Sequence, residues 1–216
     1  SLGVPFLAGS HQEGHMMAGW YSLGMLDQIP DTFLLCHFSG GTSEILLAEK
    51  EGQGRYHLTL KAFGNDLHAG QFVDRIGVLL GLQFPCGGEL EKLAMGHKGD
   101  IPSVKIWVKD GEFSFSGQET AIRRMAEQGT APATVARAVE HTIAKTMKKV
   151  FQELFATTGV STVLLAGGVM CNGYIKNYLR EQLPEASLYF ADPRYASDNA
   201  VGVAALTLQR FGGTKK

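Results

Sequence analysis

No run of apolar residues in this 216-residue chain approaches the length of about 20 needed to cross a bilayer. The first residues carry no basic stretch followed by an apolar one, so no secretory leader is expected. Cysteine is scarce: Cys36, Cys86 and Cys171 are odd in number and far apart. They make neither a disulfide framework nor a metal knuckle, and a reducing cytoplasm is the expected compartment. Cys36, inside the apolar run TFLLCHF, reads as a core residue. Charge of one sign is not in excess either. With a net charge of −1, the chain alone has no electrostatic footprint for strong nucleic-acid binding. Internal repeats and low-complexity tracts are absent, which excludes a solenoid.

What is present fits a compact folded chain. With 44% hydrophobic residues and 19% charged ones, the length suits one domain or two small lobes. Glycine is plentiful, 27 in all, and it clusters at SGG, CGG and AGG. Glycine clustered where strands should end often brings backbone close to a ligand.

The stretch GSHQEGHMMAG sets His11 and His15 four residues apart. On a helix such residues share a face and can hold one ion between them, although two surface histidines would read the same way. A zinc-peptidase motif would put glutamate next to the first ligand. Here Glu13 follows two residues later, roughly 200° around the helix. The general-base geometry of a metallopeptidase is therefore missing, and any third metal ligand must come from elsewhere.

Periodicity orders the rest. GVPFLAG reads as a short buried strand, followed by a helix from about His11 to Leu26. TFLLCHFSGGTSEILLAEK is two apolar runs around a Gly-Gly turn, a hairpin whose turn is expected to need positive φ at Gly41. RYHLTLKAF should be a third strand, and DLHAGQFVDRIGVLLGL a helix. SVKIWVKDGEFSFSG looks like a smaller hairpin. From Pro132 to Thr158 runs a long helix with Val135, Val139, Ile143, Met147, Val150 and Leu154 in one stripe. Lys145, Lys148 and Lys149 lie largely off that stripe and read as a solvated face. STVLLAGGV, CNGYIKNYLREQL, ASLYFAD and SDNAVGVAALTLQRF then alternate strand and helix.

That order, βββα followed by βαβα with a helical insertion, predicts an α/β ribonuclease H-like domain with a mixed sheet, the unit used by actin and sugar kinases. The expected division is residues 1–30 as a strand plus His-bearing helix left from a first lobe. Residues 31–216 then form the ribonuclease H-like lobe, with its insertion at about 84–158.

Three further features carry chemistry. Gly40 and Gly41 of FSGG leave amide N–H groups unobstructed for a phosphate or carboxylate. LAGGVMCN places glycines at the end of a strand and the start of a helix, where open α/β sheets bind ligands. Asn172 there reads either as a ligand contact or as a helix cap. Asp198, at the start of the last helix, is either a residue favoured by the helix dipole or the carboxylate that completes a two-histidine site.

Taken in order, HQEGH, FSGG, DLHAGQFVDRIGVLLGL, FSFSG, AGGVMCN and YASDNA resemble the tRNA adenosine threonylcarbamoyltransferase family, long filed as glycoproteases or O-sialoglycoprotein endopeptidases. The likeness runs from about Val4 to Leu208. It implies transfer of a threonylcarbamoyl group from threonylcarbamoyl-adenylate to N6 of the adenosine beside the tRNA anticodon. It implies His11, His15 and Asp198 as ligands of one divalent ion, iron or zinc, with magnesium as a third candidate. It further implies that His37, Phe38, Ser39, Gly40 and Gly41 contact the donor, chiefly through backbone, and that Asp74, Gly87 and Asn172 hold its sugar and base. tRNA would be reached together with partner proteins.

The chain departs from the family at several points. Thr42 stands where the family has histidine after S-G-G, and Leu67 and Gln71 replace acidic residues. The family also opens with a first lobe, of which this chain carries the final strand and helix. Reduced activity alone is therefore expected, together with a protein partner or self-association at the N-terminal segment, where a lone strand would expose backbone and apolar side chains. The alternative function is a non-catalytic paralogue that acts as a partner-binding or scaffold subunit. A sugar-kinase-type phosphotransferase is disfavoured, since it would need a phosphate loop in the first lobe.

Overall fold

The computed structural model describes residues 8–52, 54–196 and 199–211. Helix α1 (His11–Ser22) leads into strand β1 (Thr32–Phe38), β2 (Ser43–Gly52) and β3 (Arg55–Gly64). Helices α2 (Ala69–Leu79) and α3 (Gly87–Ala94) follow, then the short strands β4 (Trp107–Lys109) and β5 (Glu112–Ser114). Helices α4 (Ser116–Glu127) and α5 (Pro132–Thr158) precede β6 (Thr162–Ala166), α6 (Gly173–Gln182), β7 (Ser187–Phe190) and α7 (Ala200–Phe211). The described strands form one sheet in the order β4-β5-β3-β2-β1-β6-β7. β1, β2 and β3 pair antiparallel, whereas β6 joins β1 and β7 joins β6 in parallel. This is the mixed sheet expected of a ribonuclease H-like domain.

Strand parity divides the core. Leu34, Cys36 and Phe38 of β1 face one side with Ile45, Leu47, Val163 and Leu165, under α2 to α6. Phe33 and Leu35 face the other side with Leu46, Ala48 and Leu164, under α1 and α7. β1 lies inside the sheet between β2 and β6, buried on both faces from Phe33 to Phe38, and so reads as an unbroken apolar run. The predicted α5 stripe is buried along its length, from Val135 at 0% exposure to Leu154 at 6%. Pro132 opens that helix and Gly159, at φ 70°, ends it in the left-handed conformation.

Two expectations change, and a third falls mostly outside the described residues. The first helix stops at Ser22, four residues early, and a 3-10 turn covers Leu26–Gln28. The expected strand GVPFLAG falls mostly on residues 1–7, outside the described residues. Neither Gly40 nor Gly41 takes a positive φ. Ser39 closes that turn instead: its Oγ accepts from Gly41 N–H at 3.3 Å and Thr42 N–H at 3.1 Å. A side-chain turn of this kind replaces the left-handed hairpin turn and needs no glycine-only conformation.

Candidate functional site

Two features open at the carboxyl ends of the parallel strands, where α/β sheets place their ligands. One is a histidine cluster beside α1. The other is a glycine-lined cavity under the β1–β2 turn.

The cluster starts from the cap of α1. Ser10 Oγ accepts from Glu13 N–H at 3.2 Å, and Glu13 Oε2 accepts from Ser10 N–H at 2.8 Å, a capping box that sets the phase of the helix. The other oxygen of Glu13 pairs with Arg210 on α7. Glu13 is therefore occupied away from the histidines, as the helix geometry required. His11 and His15 then meet one turn apart, with their Nε2 atoms 3.1 Å from each other. Opposite them stands His37, whose ring centroid lies 4.0 Å from that of His15. One ligand nitrogen from each of the three lies within 4.8 Å of the others. His15 is 6% exposed and His37 2%, so the cluster is walled off on the protein side.

These residues fit a metal ion. Two imidazoles bonded at about 2.0–2.1 Å to one ion hold their nitrogens roughly 3.0 Å apart at right angles and roughly 3.4 Å apart in a tetrahedron. The His11–His15 separation falls between those limits. Neutral imidazole is also a ligand of borderline softness that suits zinc or ferrous iron better than magnesium. The predicted third ligand, Asp198, lies outside the described residues. His37, expected as a donor contact, lies in the cluster with His11 and His15. Its position was readable from parity, since Phe33, Leu35 and His37 alternate onto the α1 face of β1.

The cavity, about 580 Å³, collects most of the other predicted residues. Ser39, Gly40, Asp74, Gly87 and Asn172 line it, and Gly70, Gly88 and Gly168 add backbone. A Cβ on Gly40, Gly41, Gly87 or Gly168 would meet no described atom within 4 Å, so these glycines leave open space. Gly70 works differently. A Cβ there would lie 2.6 Å from Gly40 N, so its absence lets α2 press on the turn, and its N–H donates to Ser39 O at 3.0 Å. Asp74 Oδ1 accepts from Cys86 N–H at 2.8 Å, holding the chain into α3. Phe38 turns its side chain into the core, stacked on Phe113 at 5.4 Å, and leaves backbone alone for any ligand.

Among the departures, Leu67 is 2% exposed and packs in the core. Gln71 Oε1 accepts from His68 N–H at 3.4 Å, and Thr42 serves the Ser39 turn.

Glu91, Glu140 and Cys171 also line the cavity and escaped the sequence reading. Burial pushes the Cys171 thiol up, against the pull of Lys176. Burial also drives the Glu140 carboxyl from 4.5 to about 7, although Asn172 and Arg137 pull it down; Glu91 adds to the rise. A signal did exist. Ala136 and Ala144, one turn to either side, are buried, which puts a charge on a buried phase of α5.

The folded chain therefore holds more protons than the unfolded chain between pH 4.5 and about 7. The stability from this group is present in full below the unfolded value and is lost as pH rises through the folded one, ~3 kcal/mol in total. Urea midpoints at about pH 5 and about pH 8 check this. Glu140→Gln, which cannot titrate, is expected to gain on wild type by that amount across the interval.

Comparison with known proteins places the chain. A family model described as TsaD, tRNA N6-adenosine threonylcarbamoyltransferase, matches residues 1–205. The chain belongs to this family. A Thermus thermophilus tRNA N6-adenosine threonylcarbamoyltransferase is 34% identical over 97% of this chain and 62% of its own length. Proteins of the same description from Dehalococcoides mccartyi and Moorella thermoacetica are 31% and 32% identical, again over 62% of their lengths. The chain thus spans less than two thirds of these curated relatives. Among solved structures, full-length HypF in its phosphate- and nucleotide-bound form aligns with TM-score 0.74, 14% identity, 99% of this chain and 37% of that one. Component A of the (R)-2-hydroxyglutaryl-CoA dehydratase of Acidaminococcus fermentans aligns at 0.58, with 16% identity over 95% of this chain and 70% of that one. At these identities the likeness carries the fold and nothing more. No described helix is long and apolar enough to cross a membrane.

Proposed function

We propose that the chain forms the donor-binding part of a tRNA-modifying transferase. The group moved is threonylcarbamoyl, from threonylcarbamoyl-adenylate to N6 of the adenosine beside the tRNA anticodon. The observation that carries this reading is the end of β1: the strand supplies His37 to the metal-fitting cluster, and the turn that follows it supplies Ser39 and Gly40 to the cavity. His11, His15 and His37, with Asp198 as a further candidate, would hold one divalent ion, which supplies Lewis-acid polarisation of the donor's oxygens. Gly40 and Gly41 admit the donor against backbone. Asp74, Gly87 and Asn172 take its sugar and base, and the apolar wall of Val73, Leu90 and Val169 excludes water. tRNA is reached with partner proteins, one of them at the N-terminal segment. A reducing cytoplasm agrees with three free cysteines.

A second reading, a partner-binding subunit without catalysis, draws support from Leu67, an apolar core residue where the family is acidic. The test is titration calorimetry with a non-hydrolysable threonylcarbamoyl-adenylate analogue. Gly41→Val adds its branches to open space without demanding a new φ, so the fold should hold. Affinity should fall on the order of tenfold through lost approach, about 1.4 kcal/mol. Equal affinity in the folded variant removes the turn from the site. A chain that binds neither metal nor analogue belongs to the second reading.

A further inference from the structure

Three carboxylates line the cavity, and two of them are tied to backbone. Asp74 accepts from Cys86 N–H, and Glu91 Oε1 accepts from Gly173 N–H at 2.7 Å, occupying the first turn of α6. Glu140 differs, because both of its described partners are side chains. Arg137 Nη1 donates to Oε2 at 2.6 Å and Asn172 Nδ2 donates to Oε1 at 2.6 Å, with Glu140 only 1% exposed. Arg137 is itself fixed, donating to Ala94 O at 3.1 Å and lying 4.1 Å above the Tyr174 ring.

This arrangement decides the state of Asn172. Its Oδ1 accepts from Ile175 N–H at 2.9 Å as the cap of α6, while its Nδ2 is bound by Glu140. An amide whose oxygen and nitrogen are both assigned cannot flip. One N–H of Nδ2 remains, with its direction fixed by the other.

We propose that Glu140 is the positioning residue of this cavity, holding Asn172 so that its second amide N–H is a fixed donor to an acceptor atom of a bound purine nucleoside. The inference rests on the cavity being a nucleoside site, and it adds a regulator to that reading. Protonated Glu140 would turn an O–H toward one of two donors, Arg137 or Asn172, and so lose one of its bonds. The groups facing it are Arg137 on its own helix, Glu91 on α3, and Asn172 and Tyr174 on α6. Tyr174 in turn meets His141 Nδ1 at 2.7 Å. The guanidinium, always charged and the stronger donor, keeps the carbonyl oxygen, so the O–H faces Asn172, the amide is released and ligand affinity falls.

Adenosine is the probe, since it has no group that titrates near neutrality. Calorimetry on wild type, Glu140→Gln and Glu140→Ala is run between about pH 8 and about pH 6. Wild type should weaken roughly tenfold as its carboxyl protonates. Glu140→Gln has no ionisation, and its single oxygen can serve one of the two donors at any pH, so its affinity should stay level across the range, at or below that of ionised wild type. Glu140→Ala, which frees the amide, should bind weakly throughout. Wild-type binding that ignores pH, or a glutamine variant that follows the wild-type profile, overturns this inference alone. Adenosine that fails to bind wild type at every pH overturns it together with the nucleoside reading.

Discussion

Replacing His15 with alanine is expected to remove most of the bound metal while leaving the chain folded. With three candidate donors in contact, loss of one leaves two, and a two-ligand site competes poorly with water. Loss of a group that merely supports a ligand already costs about 10–100-fold in affinity, so loss of a ligand costs more. Folding should survive because the rest of α1 does not depend on this ring. Its cap is Ser10 with Glu13, and Met16, Met17 and Trp20 bury its core face. Metal analysis after dialysis, with a thermal melt as control, gives the result. Unchanged stoichiometry in His15→Ala rules out the cluster as a metal centre. His37→Ala and Asp198→Ala extend the test to the third ligand: the variant that loses metal identifies it.

How far these features could be read in advance depends on the physics behind each. The sheet and α5 were legible because period two and period 3.6 act over many residues, and one substitution cannot hide them. His37 was half legible. Parity put it on the α1 face, but His11 lies 26 positions away and no local rule couples the two. Glu140 was hidden because a buried carboxylate breaks the pattern used to find buried positions, and its compensation is spread over Arg137 and Asn172 on two helices. The Gly-Gly turn was misread because a side chain two atoms long, Ser39, did the work expected of backbone conformation. Glycine clusters were the least decisive signal of all, since glycine marks equally a surface left open for a ligand and a surface pressed against its own chain.

Gly167 and Gly168 separate those two meanings in adjacent residues, and opposite outcomes are expected from the same substitution. Gly167 has φ 94°, where an L residue is strained, and a Cβ there would collide with the carbonyl of Phe38 and reach 3.0 Å from the His37 ring. Those atoms belong to β1, buried on both faces between β2 and β6, so nothing nearby can give way cheaply. Strain and overpacking together should cost roughly 2–5 kcal/mol, against about 5–15 for a whole domain. Gly167→Ala is thus expected to lower the melting temperature steeply and to disturb the histidine cluster through His37. Gly168 has an ordinary φ, lines the cavity and leaves a Cβ free of any described atom within 4 Å. Gly168→Ala should melt within a degree or two of wild type, because a methyl group in open space displaces nothing. Its effect should appear in the cavity, as weaker adenosine binding with unchanged metal content. Equal stability of the two variants would mean that the β6 turn does not press on β1 as described. Full adenosine affinity in Gly168→Ala would mean that the ligand does not reach this wall.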